Sequence, residues 1–235
     1  MLLVLRGMSV SMFVCRKDKK VRAMKTRISN LCLTMMVVAA VSSVEAKTAV
    51  AQPYPPMLLQ VPFQCQYPPG EASNTKNCGQ TCALMLDAYY DRYTPSSSQI
   101  TATNKWLSTS LRDSRYLNAN GYYTHFNDGR NSLGRMLREY HGLKYSVLNG
   151  GSFNSVLYQL NMGRPCIVGV KISGGKIVSS GGVAHWALAV GYDPIKHQMI
   201  LNDPGTRSGR YVRLSMPDFE KSWATQGRIY APVWK

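Results

Sequence analysis

The chain has 235 residues, enough for one full hydrophobic core and too few for two once a targeting segment is set aside. Its formal charge is +16, and because residues 1–46 hold eight Lys or Arg against two acidic residues, the remainder still carries +10. The later basic residues are scattered singly (Lys105, Arg112, Arg115, Arg130, Arg135, Arg138) without a nucleic-acid motif, which sets specific nucleic-acid binding aside and leaves solubility and contact with an anionic cell envelope.

From Met24 the chain reads MKTRISNLCLTMMVVAAVSSVEAKTAVAQ: basic Lys25 and Arg27, an apolar run from Leu31 to Val41, then small residues. Charge, hydrophobe and cleavage site in that order form the pattern of a secretory signal peptide. The apolar run is about half of the roughly 20 residues that a membrane-spanning helix needs. Cleavage is expected after Ala46, which lies nearer the apolar run, or after Ala51, which has the better small-residue pattern. The residues before Met24 add an apolar patch and a basic cluster that such a signal does not require, so Met24 is the expected true start; a long leading region or an inner-membrane stub are the alternatives. Residues 1–46 are thus read as signal peptide and leader and residues 47–235 as one domain, expected in the periplasm or outside the cell.

The domain opens with an extended, Pro-rich lead-in that holds one short strand-like piece at Met57 to Phe63. Asn77 is placed to cap a helix from about Cys78 to Tyr93, whose apolar stripe is Cys82, Met85, Leu86, Tyr89 and Tyr93. Further helices are expected over Ser96 to Ser110, Asn131 to Tyr140 and, capped by Ser152, up to Asn161, with strand-like Lys144 to Leu148 between the last two. From Pro165 the period changes to two. Strands are expected at Pro165 to Ile172, Ala184 to Tyr192, Gln198 to Asn202, Tyr211 to Leu214 and Arg228 to Val233, with a short helix near Pro217 to Trp223. The glycine-rich Ser173 to Val183 reads as a mobile loop, and helices followed by an antiparallel sheet make an α+β plan with the first helix packed on the sheet.

Cys65, Cys78, Cys82 and Cys166 remain after cleavage, and an even count in an oxidising compartment argues for disulfides. Cys78 nevertheless sits where a helix start favours an anion and therefore a thiolate, whereas Cys82 belongs to the apolar stripe or to a disulfide. A thiolate needs an imidazole partner. His125 lies in a polar turn, His141 at a helix end and His197 in a hairpin turn, while His185 opens a strand directly after the glycine loop. A hairpin centred near Ile195 pairs residues whose numbers sum to about 390, which brings Asp203 within a residue or two of His185, where a carboxylate fixes the imidazole's tautomer. The bland counterparts are a structural histidine at a strand end, an ordinary Asn-Asp-Pro-Gly turn and a cysteine that is half of a disulfide.

Together VPFQCQ, NCGQTCALMLDAYY, AHWALAVGYD and LNDPG resemble the bacterial cysteine peptidases related to the bacteriocin-processing, double-glycine leader peptidases, which have a papain-like fold. The resemblance spans roughly Met57 to Asp203 and implies Cys78 as nucleophile, His185 as its imidazole, Asp203 as the acid that orients it, and Gln66 as the oxyanion glutamine, with Gln64 as the alternative register. It departs from the family where Cys78-Gly79-Gln80 replaces a frequent Cys-Gly-Pro, in a long polar linker between Gln66 and Cys78, and in the added Cys65 and Cys82. With Cys78 set aside, Cys65 is expected to pair with Cys82 or with Cys166.

The expected protein is an exported cysteine peptidase that needs no metal or other cofactor. Its partner is a peptide or protein substrate. The alternatives are a catalytically silent binding module on the same fold and a cell-wall amidase or transpeptidase; the oligomeric state stays open.

Overall fold

The computed structural model describes residues 54–68, 75–111, 117–118, 121–127, 129 and 131–235. The expected signal peptide, its two expected cleavage points and the expected start at Met24 lie outside the described residues. Ala51–Lys235 forms one compact unit.

Strand β1 (Met57–Leu58) precedes helices α1 (Cys78–Asp91) and α2 (Ser97–Leu111), and a small hairpin of β2 (Leu117–Asn118) and β3 (Gly121–Tyr122) follows. Helix α3 (Ser132–Arg135) continues as one π-turn over Met136–Tyr140, where a single α-helix was expected. Then come β4 (Lys144–Tyr145), α4 (Phe153–Asn161), β5 (Cys166–Ser173), β6 (Lys176–Val178), β7 (Val183–Asp193), β8 (Gln198–Asn202), β9 (Val212–Ser215), α5 (Met216–Ala224) and β10 (Tyr230–Trp234). The main sheet runs β4-β10-β5-β7-β8-β9, with antiparallel pairing throughout, and β6 and β1 add to β5 and β7.

Alternation along the central strands builds two cores. Ile167, Leu188 and Val190 face one way and pack with Cys82, Met85 and Leu86 of α1, Leu107 of α2 and Leu133 of α3. Cys166, Val168, Ala187 and Ala189 face the other way and pack with Val156, Leu157 and Leu160 of α4 and with Phe219 and Trp223 of α5. The helices therefore cover both faces of the sheet, the three N-terminal ones on one side and α4 with α5 on the other. Ser152 caps α4 by accepting from Ser155 N at 3.2 Å, as its position predicts.

Two expectations are corrected. Ser173 to Val183 is a hairpin rather than a plain loop: Gly174 and Gly175, both at positive φ, form a two-residue turn and return the chain as β6 along β5. Lys176–Val178 is too short to show a period. The second concerns disulfides, since Cys65, Cys78, Cys82 and Cys166 are all free. Neither Cys65–Cys82 nor Cys65–Cys166 forms, and the sheet separates Cys82 in the first core from Cys166 in the second.

Candidate active site

Cys78 opens α1 in a corner built for close approach. A Cβ on Gly79 would overlap Thr124 Oγ1, so a glycine after the cysteine lets the loop carrying Thr124 press against the helix start. Asn77 was expected to cap this helix, but it stands at the N-cap position without a side-chain cap hydrogen bond. Its amide instead donates to Gln66 O at 3.3 Å and accepts from Asn104 Nδ2 at 2.9 Å, tying α1, α2 and the Gln66 segment together.

His185 and Asp203 come from neighbouring strands. Leu188 pairs with Asn202 and Ala189 with Leu201, both summing to 390, before a bulge shifts the register by one at Gly191. Asp203 follows β8 directly, and its Oδ1 lies 2.7 Å from His185 Nε2. The same oxygen accepts from Gly205 N at 2.8 Å, while Asp203 N donates to Gly209 O at 2.8 Å, so the Asn-Asp-Pro-Gly turn holds the carboxylate in place. His185 is 5% and Asp203 1% exposed, so water does little to weaken their interaction.

Electrostatics in this corner favour a charged pair. Burial alone would push the Cys78 thiol up, but its hydrogen bond to His185, the His185 charge and the backbone N–H groups of Trp186 and Gly79 outweigh burial and bring it below its usual value. Burial likewise disfavours an imidazolium. Asp203 and Cys78 overcome that and raise His185 to about 9. With Nε2 engaged by Asp203, Nδ1 is the nitrogen left for the Cys78 sulfur. Cys82, one helical turn on, moves the other way: burial pushes it well above the usual thiol range, and its Sγ–H donates to Trp186 O at 3.6 Å.

Gln66 reaches the same place along a stitched segment. Leu59 N donates to Val190 O at 2.8 Å, Asn202 Nδ2 to Val61 O at 3.2 Å and Gln66 N to Pro204 O at 2.9 Å, so the lead-in follows the sheet from β1 to the Asp203 turn. Gln66 and Thr75 clamp each other, Gln66 Nε2 donating to Thr75 O at 2.7 Å and Thr75 Oγ1 to Gln66 O at 3.1 Å. Gln66 lines a cavity of about 640 Å³ with Cys78 and His185. Gln64, the alternative register, donates its amide to Cys65 O at 3.0 Å and is not among the residues lining that cavity.

The Peptidase_C39 like family matches residues 58–231, most of the chain and all four residues just described. The chain belongs to this C39-type cysteine peptidase family. Among solved structures, a candidate C39-like peptidase from Bacillus anthracis is similar, with a TM-score of 0.52 and 20% identity over 77% of this chain and 98% of that one. At that identity the likeness speaks for the fold, which is α+β and papain-like, as expected. No curated relative matches the chain.

Within this C39-like chain, several residues near Cys78 escaped the sequence reading. Gln80, at the position where the family often has proline, donates to Asn104 Oδ1 at 2.9 Å and accepts from Thr124 Oγ1 at 3.1 Å. A polar chain therefore runs Thr124-Gln80-Asn104-Asn77-Gln66, joining the helix start to the Gln66 backbone. Trp186, a member of the first core, also donates Nε1–H to Thr124 O at 2.8 Å. His125, read as a turn residue, lines a second cavity of about 360 Å³ beside Cys78 and lies near the rings of Tyr123 and Trp186. Nothing in the local pattern around Thr124 and His125 points to α1; only the fold brings them there. His141 and His197 keep structural places, His141 beside Asp87 at 3.1 Å and His197 in the β7–β8 turn at positive φ.

Proposed function

We propose that the protein is an exported cysteine peptidase that hydrolyses peptide bonds through Cys78, His185 and Asp203, with Gln66 at the oxyanion. The Cys78 thiolate attacks the scissile carbonyl carbon, forming a C–S bond and moving the carbonyl π electrons onto oxygen. The second N–H of the Gln66 amide and the Cys78 backbone N–H stabilise that oxyanion. As the carbonyl re-forms, the C–N bond breaks and His185 passes its Nδ1 proton to the departing amine. Water then enters, His185 takes its proton, and hydroxide attack on the thioester releases the acid and restores the thiolate. Asp203 keeps the proton-bearing ring in register and supports its positive charge.

The observation that carries this proposal is one imidazole between two partners: Asp203 at 2.7 Å on Nε2, and Cys78, which lines the same two cavities as the ring and is close enough that each shifts the other's ionisation. The order of residues 24–46, basic then apolar then small, supports export. A silent binding module would leave the four cysteines oxidised, and their free state favours the hydrolase. A peptide electrophile directed at thiols should label Cys78 stoichiometrically in the native chain and fail to do so in His185→Ala. Equal labelling of the two would remove the ion pair from the mechanism.

A further inference from the structure

We infer that Lys76 is a specificity-determining residue, selecting peptides with an acidic side chain in the first or second residue on the acyl side of the scissile bond. The inference rests on the hydrolase proposed above and names the substrate class of that site. Lys76 lies two positions before Cys78 and lines both cavities that meet at Cys78 and His185. Its ammonium sits 4.2 Å from the centroid of the Tyr123 ring, and among the described residues it makes no ion pair with a carboxylate.

A ring face attracts a cation without supplying a counter-charge, so Lys76 can still take a carboxylate as partner. The two cavity linings contain no Asp or Glu among the described residues, and the first presents the neutral side chains of Asn127, Asn149 and Gln226. Asp203, almost wholly buried, is occupied with His185 and Gly205. The side of the bond follows from the mechanism. The leaving amine must lie against His185, which gives it a proton, whereas Lys76 shares its segment with Thr75 and Asn77, which hold Gln66 on the carbonyl side. An extended peptide advances about 3.3 Å per residue, so a lysine two positions from the nucleophile meets a side chain one or two residues from the attacked carbonyl. A carboxylate there gains a partner, an amide gains none, and a cation is repelled.

The test measures Cys78 alkylation at low salt by peptidyl chloromethyl ketones that differ only in Glu, Gln or Lys at the first or second residue before the reactive carbon. Each rate is divided by the same variant's rate with iodoacetamide, which removes any change in the thiol's own reactivity. The native chain should prefer a Glu probe over its Gln counterpart by about three- to fivefold, with the preference fading as salt rises. Lys76→Gln should lose that preference, and Lys76→Glu should turn it towards the Lys probe. Equal Glu and Gln rates in the native chain, or a Glu preference that survives in Lys76→Gln, would overturn the assignment. Failure of the hydrolase itself looks different: iodoacetamide would then label Cys78 at the same rate with and without His185.

Discussion

Cys78 is half-buried, and the loss of water around it by itself favours a protonated thiol; it is the imidazolium of His185 that reverses the sign. This makes the pH dependence of turnover a test of individual residues. As pH falls, Cys78 takes up a proton and the nucleophile is lost, on a limb lying below the usual thiol value near 9. As pH rises through about 9, His185 loses its proton and the departing amine has no acid. A bell-shaped profile with its basic limb near 9 is expected, and Asp203→Asn should move that limb down, because the carboxylate is the leading contribution raising His185. Gln66 should separate two kinds of reaction. Gln66→Ala is expected to lower kcat for an amide substrate by roughly a hundredfold or more, while alkylation of Cys78 by iodoacetamide, which develops no carbonyl oxyanion, changes little. Parallel loss in both reactions would assign Gln66 to the structure of the corner instead.

At the scale of elements, the contribution of Gly79 is steric. Gly79→Ala places a methyl group where Thr124 Oγ1 stands and should destabilise the fold by about 1–3 kcal/mol in urea titration, through overpacking and the loss of the Thr124–Gln80 contact. The elements that carry the site were legible because each has a strong period or punctuation. The stripe from Cys82 to Tyr89 gave α1, Ser152 gave the start of α4, and the Asp193 to His197 turn set a register that brings His185 beside Asp203. Gln66 was legible only through resemblance, since its anchors at Thr75 and Pro204 are distant contacts of an irregular segment. What sequence did not show depends on tertiary contact. The π-turn at Met136–Tyr140, the three-residue β6 between glycines, and the amide chain through Gln80 and Asn104 leave no periodic trace. The expected pairing of Cys65 with Cys82 or Cys166 failed for a related reason: counting cysteines ignores that Cys82 and Cys166 are core residues whose thiols turn to the carbonyls of Trp186 and Arg164, while Cys65 belongs to neither core.

Across the whole molecule, three segments far apart in sequence converge on one thiol. The α1 start supplies Cys78, the β7–β8 pair supplies His185 and Asp203, and the lead-in along β1 supplies Gln66, with a helix-covered core on each face of the sheet fixing their relative positions. Weakening the core remote from Cys78 tests that division: Trp223→Ala empties the second core and should cost about 3–5 kcal/mol in unfolding, while at temperatures where the variant stays folded its Cys78 keeps the native pH profile. The convergence itself is tested most directly by titrating the ultraviolet absorbance of the thiolate in the native chain against Cys78→Ser and His185→Ala. The ion pair predicts a thiolate signal that is already present below pH 9, disappears in Cys78→Ser and moves to higher pH in His185→Ala. A Cys78 thiolate that appears only at or above the usual thiol value, with the same midpoint whether or not His185 is present, would contradict it.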